Sequence, residues 1–368
     1  MSTTRLKNEE IRVQVGPANY FSHVGALSRI DDFFSEKALS ESLVIAGAKA
    51  FEAARPYFPA SLAPASDRAV LYQGHCSESG IKALAKLLPK GKGPVIGIGG
   101  GAVIDTAKAL AARKGRDFVA IPTVAATCAA WTPLSVWYDN AGFARYFELF
   151  RNANFLVLVE PRIIQAAPSR YLIAGIADTL AKWYEACILI PKNQPVPLTA
   201  RLGLELSASI KDLLLKKGSE ALDALGKSEP TDTLVEVIDA IIAGAGAVGG
   251  FGERFTRVAA AHAVHNGLTV LPQTKEVLHG AKVAYGLLVQ LALEGQKDEL
   301  ISLQKTFRNW SLPVSLSDMG VDIKDAPSVA AFRVRALQQG ESIHQLSFVV
   351  SQDLFDKAIQ EVELLAKK

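Results

Sequence analysis

Short apolar runs recur through the first 160 residues of the chain, at 43–46, 69–72, 95–98, 118–121, 135–138 and 155–159. Between them lie stretches with helical spacing, 79–88 and 102–114 among them. Strands alternating with helices build a parallel sheet covered on both faces, so this pattern predicts a mostly parallel α/β domain. Ligands of such sheets sit at the carboxyl ends of the strands. After Glu160 and Pro161 the texture changes. Leu198, Leu202, Leu206, Ile210, Leu213 and Leu214 fall three and four apart, an amphipathic helical stripe, and no comparable strand alternation follows. The pattern predicts an α/β domain over residues 1–160 and an all-helical domain over 161–368. The small-residue run AGAGAVGGFG at 243–252 has no strand leading into it, and reads as a close helix crossing or bend.

The third apolar run feeds GIGGGAVIDTAKA, in which Gly99, Gly100 and Gly101 separate a strand from a helix carrying Asp105 and Lys108. Glycines let the chain turn tightly and let a pyrophosphate reach backbone N–H groups at a helix N-terminus. Gly97, Gly99 and Ala102 also match the dinucleotide fingerprint, though after a middle strand instead of the first. A tight turn with no ligand fits the same residues.

Composition narrows the classes. With 49% hydrophobic and 21% charged residues, the chain has the balance of a globular protein. Its net charge of +3 is spread among mixed signs, which leaves no nucleic-acid footprint. Cys76, Cys128 and Cys187 are too few and too scattered for a disulfide framework, and a reducing cytoplasm suits them. The N-terminus is too polar for a signal peptide. Residues 118–138 carry no charge over a length that could cross a bilayer, but two prolines and three threonines make this strand, loop and strand, so no membrane is expected.

Three of the six histidines fall within 259–280, AAAHAVHNGLTVLPQTKEVLHG. His262 and His265 share a helical face, Asn266-Gly267 and Pro272 break that helix, and His279 opens the next element. Asp178 sits in YLIAGIADTLAKWYEAC, an apolar helical stretch where an ionised carboxylate needs a partner, either Lys182 or a metal. One carboxylate and two imidazoles form a three-ligand set with an open fourth position, as catalytic zinc often has. Core histidines satisfied by backbone are the plainer alternative.

GIGGGAVIDTAKA, IPTVAAT, SVWY, GIADTLAKWYEA, AAAHAVHNGLT and LHGAKVAYG occur in the order found in the glycerol dehydrogenase group of metal-dependent, or iron-containing, alcohol dehydrogenases, and the chain resembles that group over nearly its whole length. VGPANYFSHVG, GHCSES, ATCAAWTPLSVWY and GERFTRVAAAHAVHNG look closest to its hydroxycarboxylate dehydrogenase A branch. The resemblance implies an N-terminal dinucleotide-binding domain and an all-α C-terminal domain, the dehydroquinate synthase-like fold of this family. It implies metal ligands at Asp178, His262 and His279, with Zn²⁺ first and Fe²⁺ or Ni²⁺ also suited. Pyrophosphate contacts fall at Gly99, Gly100 and Gly101, with Ala102 and Asp105 nearby, and the remaining cofactor contacts at Thr123, Thr132, Leu134 and Tyr138.

Two departures shape the expected activity. Cys128 stands where the glycerol enzymes place a polyol-binding aspartate, and Gly47 with Lys49 where NAD users often show an acid. Together they point to NADP(H) over NAD(H), and to reversible hydride transfer with a 2-oxo/2-hydroxy acid such as 2-oxoglutarate or 2-oxobutanoate. Glycerol or another polyol is the first alternative, and a dehydroquinate synthase-like lyase the second. Arg254 or Arg257 would grip the substrate carboxylate, and on a continuous helix Arg254 lies nearer the face of His262. His265 would relay a proton or orient a ligand. Partners are a small-molecule substrate and further copies of the same chain.

Overall fold

The computed structural model describes residues 11–139, 142, 144–190 and 195–367. The first ten residues, most of the segment read above as too polar for a signal peptide, lie outside the described residues. The chain divides into two compact units. One joins Gln14–Leu172 to Glu220–Gly250, and the other is built mainly from Ile173–Ser219 and Phe251–Lys368. The hydrophobic pattern places a single boundary at 160/161. The difference arises at 161–172 and 220–250, which read as helical and pack within the sheet-bearing unit.

That unit holds a six-stranded parallel sheet of β1 (Asn19–Ser22), β2 (Leu43–Ala46), β3 (Val70–Leu71), β4 (Val95–Gly99), β5 (Phe118–Pro122) and β8 (Leu156–Val159), in the order β1-β8-β5-β4-β2-β3. A separate antiparallel pair, β6 (Leu134–Tyr138) and β7 (Ala144–Leu149), follows the loop after β5. The uncharged stretch 118–138 is therefore strand, loop and strand. Every residue of β2, β4, β5 and β8 is buried, which is why these strands read as unbroken apolar runs. Val44, Ile96, Ile98, Val119, Ile121, Leu156 and Leu158 pack with Leu27, Ile30 and Leu39 into one core. The helix Gly101–Lys114 lies close on the sheet, since a Cβ at Gly97 or Gly99 would sit 2.9 Å from the Cβ of Ala107 or Val103.

The 220–250 segment completes the same unit. The helix Asp232–Asp239 runs through a π-turn, Ala240–Gly244, into the helix Ala245–Gly252. The continuous stretch Asp232–Phe255 is long and apolar enough to cross a membrane, yet 61% of its apolar window is buried inside the protein. The small residues allow a close crossing. A side chain at Gly246 would overlap the ring of Trp131, and one at Gly250 would overlap the backbone of Gln14 and Val15. Gln14 N donates to Gly250 O at 3.1 Å, and the Tyr20 hydroxyl donates to Asp239 Oδ1 at 2.6 Å.

Among the described residues no strand follows β8. In the helix Leu198–Asp223, Ile210 and Leu214 are buried, but Leu198 and Leu202 are exposed, and Ala200, Gly203 and Ser207 turn inward in their place. Helix packing here uses small residues where the apolar stripe suggests leucines.

Candidate metal and cofactor sites

Three helices of the second unit converge on Asp178. It lies on the helix Ser169–Leu189, His262 on the helix Ala260–Leu268, and His279 is the first residue of the helix His279–Leu293. The short helix Ala260–Leu268 has no capping side chain of its own. Glu185, fully buried, supplies the cap from the Ser169–Leu189 helix. Its Oε1 accepts the N–H of Ala259 at 2.6 Å and of His262 at 3.1 Å, and its Oε2 holds His262 Nδ1 at 2.7 Å. One carboxylate thus starts the helix and sets the ring of its first histidine.

The helices can meet because two glycines stand at the crossings. A Cβ on Gly280 would overlap the carbonyl oxygen of Ala174, one turn before Asp178, and a Cβ on Gly286 would overlap that of Ala261, next to His262. Gly267, read from sequence as part of a helix break, remains inside the last turn of its helix. Its Cβ would lie 2.7 Å from Phe332, so this glycine serves another close crossing.

The ligand atoms of Asp178, His262 and His279 lie within 4.8 Å of one another. His279 Nε2 is 3.2 Å and His262 Nε2 3.5 Å from Asp178 Oδ1, an oxygen that is buried and has no hydrogen-bond partner. An orphaned carboxylate oxygen facing two imidazole nitrogens has the chemistry of a divalent-cation site, and the donor set fits one. Burial opposes the charge on Asp178, but the two histidines override it and hold the carboxyl well below its usual range. Burial also opposes a charge on His262, and Glu185 overrides it, raising that imidazole to about 9. His265 is driven well below the usual range by burial and by the neighbouring His279 and His262. Lys182 points elsewhere, its Nζ donating to the carbonyl of Arg257 at 2.9 Å. His279 is the most open of the three, with its side chain 41% exposed.

Arg254 and Arg257 belong to the same unit, but the helix begins only at Ala260, so both precede it. Arg254 lies on a 3₁₀ turn with its guanidinium 3.8 Å from Glu253 and over the ring of Phe255. Both arginines are half-buried.

The other candidates lie in the sheet-bearing unit. β2, β4 and β5 end side by side, with Ala46 opposite Ile98 and Gly99 opposite Pro122, which gathers Gly47, Gly99, Gly100, Gly101 and Thr123. Gly47 N donates to Ile98 O, and Thr123 N donates to Gly99 O. Gly100 begins the helix without a side-chain cap, and a Cβ at Gly101 would make only ordinary contacts, 3.6 Å from Thr127 Oγ1 and 3.8 Å from the Cβ of Ala129. An uncapped helix start behind small residues fits a pyrophosphate. Ala102 and Lys49 are exposed.

Asp105 is buried, with its carboxylate bonded to Lys108 Nζ at 3.2 Å and Val136 N at 3.1 Å. Lys108 in turn donates to the carbonyls of Ala129 at 2.7 Å and Leu134 at 2.5 Å. The buried pair pins the loop carrying Cys128, and the start of β6, to the helix behind the glycine turn. Thr132 is buried, its carbonyl accepting from Asn154, and Tyr138 stacks on His75 at 4.7 Å. Cys128 is half-buried in the loop after β5, and its carbonyl accepts from Trp131 N and Thr132 N. Sequence reasoning did not single out Glu185, although it lies seven residues beyond Asp178 on the same helical face.

The description "iron-containing alcohol dehydrogenase" matches residues 17–159. The chain is 51% identical to hydroxycarboxylate dehydrogenase A of Escherichia coli (strain K12), over 97% of this chain and 99% of that one. It is 34% identical to a glycerol dehydrogenase of Thermotoga maritima, over 89% of this chain and 86% of the relative. The solved structure of a probable glycerol dehydrogenase from Sinorhizobium meliloti 1021 superposes with a TM-score of 0.84 at 26% identity, covering 97% of this chain and 99% of that one. The chain therefore belongs to the iron-containing alcohol dehydrogenase family, whose members bind a nicotinamide cofactor and a metal, and is an oxidoreductase acting on hydroxyl groups of small molecules.

Proposed function

We propose that this enzyme transfers hydride reversibly between NADP(H) and a 2-oxo/2-hydroxy acid, at a divalent cation held by Asp178, His262 and His279. The observation that carries the reading is the buried, unpartnered Oδ1 of Asp178 facing two imidazole nitrogens. When bound, the cation supplies Lewis acidity toward the substrate oxygen, and the nicotinamide gives or takes the hydride. Zn²⁺ is our first choice of metal. The protein's own groups set charge and geometry. Asp178 brings the one negative charge among the ligands, Glu185 orients His262, and the Gly99–Gly101 turn receives the pyrophosphate.

The acid is favoured over a polyol by Cys128 and by the similarity to a hydroxycarboxylate dehydrogenase along the whole chain. Glycerol oxidation is the second reading, because other relatives are named for it. A panel of 2-oxo acids, 2-hydroxy acids and polyols, assayed with both cofactors, separates the two. Turnover of glycerol exceeding that of every 2-hydroxy acid overturns the first reading.

The preference for NADP(H) rests on Gly47 and Lys49, since a Rossmann-type acid at this point would repel a 2′-phosphate. Gly47 has extended backbone, φ −73°, and a Cβ there would make only ordinary contacts, 3.6 Å from Ala50 and 3.8 Å from Val103. Gly47→Asp therefore fits the fold. A unit charge about 4 Å from the phosphate costs on the order of 1–4 kcal/mol in a partly solvated setting. The NADPH-to-NADH ratio of kcat/KM should fall by about tenfold or more. Equal or better use of NADH by the unaltered enzyme overturns the assignment.

For the carboxylate grip, Arg254→Met and Arg257→Met should be compared on a 2-oxo acid and on a neutral ketone. Charge-assisted hydrogen bonds contribute about 1.5–3 kcal/mol, so the right substitution raises KM for the acid roughly 10–100-fold and leaves the ketone nearly unchanged. Equal effects on the two substrates exclude the role.

A further inference from the structure

We propose that His265, Asn266 and Glu341 form a chain of hydrogen bonds that holds His279 in the one tautomer able to bind the cation through Nε2. The inference rests on the metal reading above and extends it to residues outside the set Asp178, His262 and His279. Every proton along the chain follows from the geometry. His279 Nε2 faces Asp178, so a cation there takes its lone pair and leaves the ring proton on Nδ1. That nitrogen lies 2.9 Å from His265 Nε2, which must then be the bare acceptor. The proton of His265 sits on Nδ1, 3.1 Å from Asn266 Oδ1. The amide of Asn266 is oriented at its other end, where Nδ2 donates at 2.8 Å to Glu341 Oε2, and a carboxylate can only accept.

Glu341 is itself fixed. Arg335, on the helix Ala326–Ala336, pairs with its Oε1. The next residue, Ser342, is buried and bonds the carbonyl of Ala259 at 2.5 Å, immediately before the His262 helix. A negative charge is thereby connected through one amide and one imidazole to the most exposed ligand. The arrangement parallels the direct Glu185–His262 bond. His262 is buried enough to receive its carboxylate directly, whereas His279, at the open side, receives it through two intermediaries. With Nε2 accepting from His279, His265 is an orienting group and not a free base. Of the two roles the sequence leaves open for it, the structure favours orientation.

The test measures Zn²⁺ affinity by competition with a chromophoric chelator at fixed pH, beside helix content by circular dichroism. N266A and E341A should each weaken Zn²⁺ binding about 10–100-fold with helix content unchanged, the usual cost of losing a partner behind a metal ligand. The double substitution N266D/E341Q places the carboxylate at 266 and the amide at 341. It preserves an acceptor for His265 and the total charge, and should bind Zn²⁺ within a few-fold of the parent. H279A is the control for the metal reading and should lose the site. If H279A loses Zn²⁺ while N266A and E341A bind like the parent, the chain has no such role. If N266D/E341Q is as weak as N266A, packing and not the hydrogen-bond path is responsible, and the proposal falls. If H279A too binds like the parent, the metal reading itself is wrong.

Discussion

Replacing Asp178, His262 or His279 with alanine is expected to lower kcat/KM by about a thousandfold or more, and to strip the metal, because a Lewis acid contributes several kcal/mol and each 1.36 kcal/mol is a factor of ten. Asp178→Asn is the sharper variant. It keeps the volume of a buried side chain, so the three helices have no cavity to fill, but it removes the one negative charge from the ligand set. Its Oδ1 faces His279 Nε2 at 3.2 Å and His262 Nε2 at 3.5 Å, so the substitution removes the charge that those imidazoles and a cation share. Metal content per chain, activity and thermal midpoint should be measured on one preparation. Full activity in a rigorously metal-free preparation of the parent would falsify the assignment.

Gly280→Ala and Gly286→Ala should act on fold and site together. Each new Cβ would overlap a backbone carbonyl, of Ala174 or Ala261, and backbone cannot rotate aside as a side-chain tip can. Overpacking of this kind costs about 1–3 kcal/mol and sometimes more. The helices must separate to accept the methyl group, and each crossing lies beside a ligand residue. We expect the apparent melting temperature to fall by roughly 2–10 °C, with metal affinity falling alongside. Gly226→Ala is the matched control, since nothing lies within 4 Å of a Cβ there and its φ is not positive. Parent-like melting and metal binding by G280A would show that the crossing has more slack than its geometry allows.

Of the six strands that the hydrophobic pattern announces, β2, β4, β5 and β8 are buried throughout, β6 alternates between buried and half-buried positions, and the two-residue β3 lies at the sheet edge with Leu71 exposed. β1 and β7 escaped it for opposite reasons. The four residues of β1 are all half-buried at the sheet edge, with Asn19 and Ser22 at its ends, and β7 is mostly exposed, so neither shows a run or a clean alternation. The cluster of Asp178, His262 and His279 was legible because a lone aspartate in an apolar helix and paired histidines are chemically conspicuous. Glu185 was hidden by looking like any helical acid, although its spacing from Asp178 carries the signal. Asn266 and Glu341 are 75 residues apart and meet only through tertiary packing, so no local spacing connects them. Asn266-Gly267 reads as a helix stop, and the helix does end at Leu268; the pressure of Phe332 and Ala336 against Gly267 is a second reason for the glycine that no local pattern carries.

The discontinuity of the sheet-bearing unit bears on how the chain is made. Its strands are complete at Val159, but Glu220–Gly250, which closes over Trp131 and pairs with Gln14, is translated only after Ile173–Ser219 has emerged. At about 5–20 residues per second the nascent sheet waits several seconds for that segment. Throughout that interval the Trp131 ring and the Tyr20 hydroxyl lack the partners that Gly246 and Asp239 later bring. A fragment ended at Leu172 would keep them in that state permanently, offering chaperones an aromatic patch that the finished enzyme half-covers.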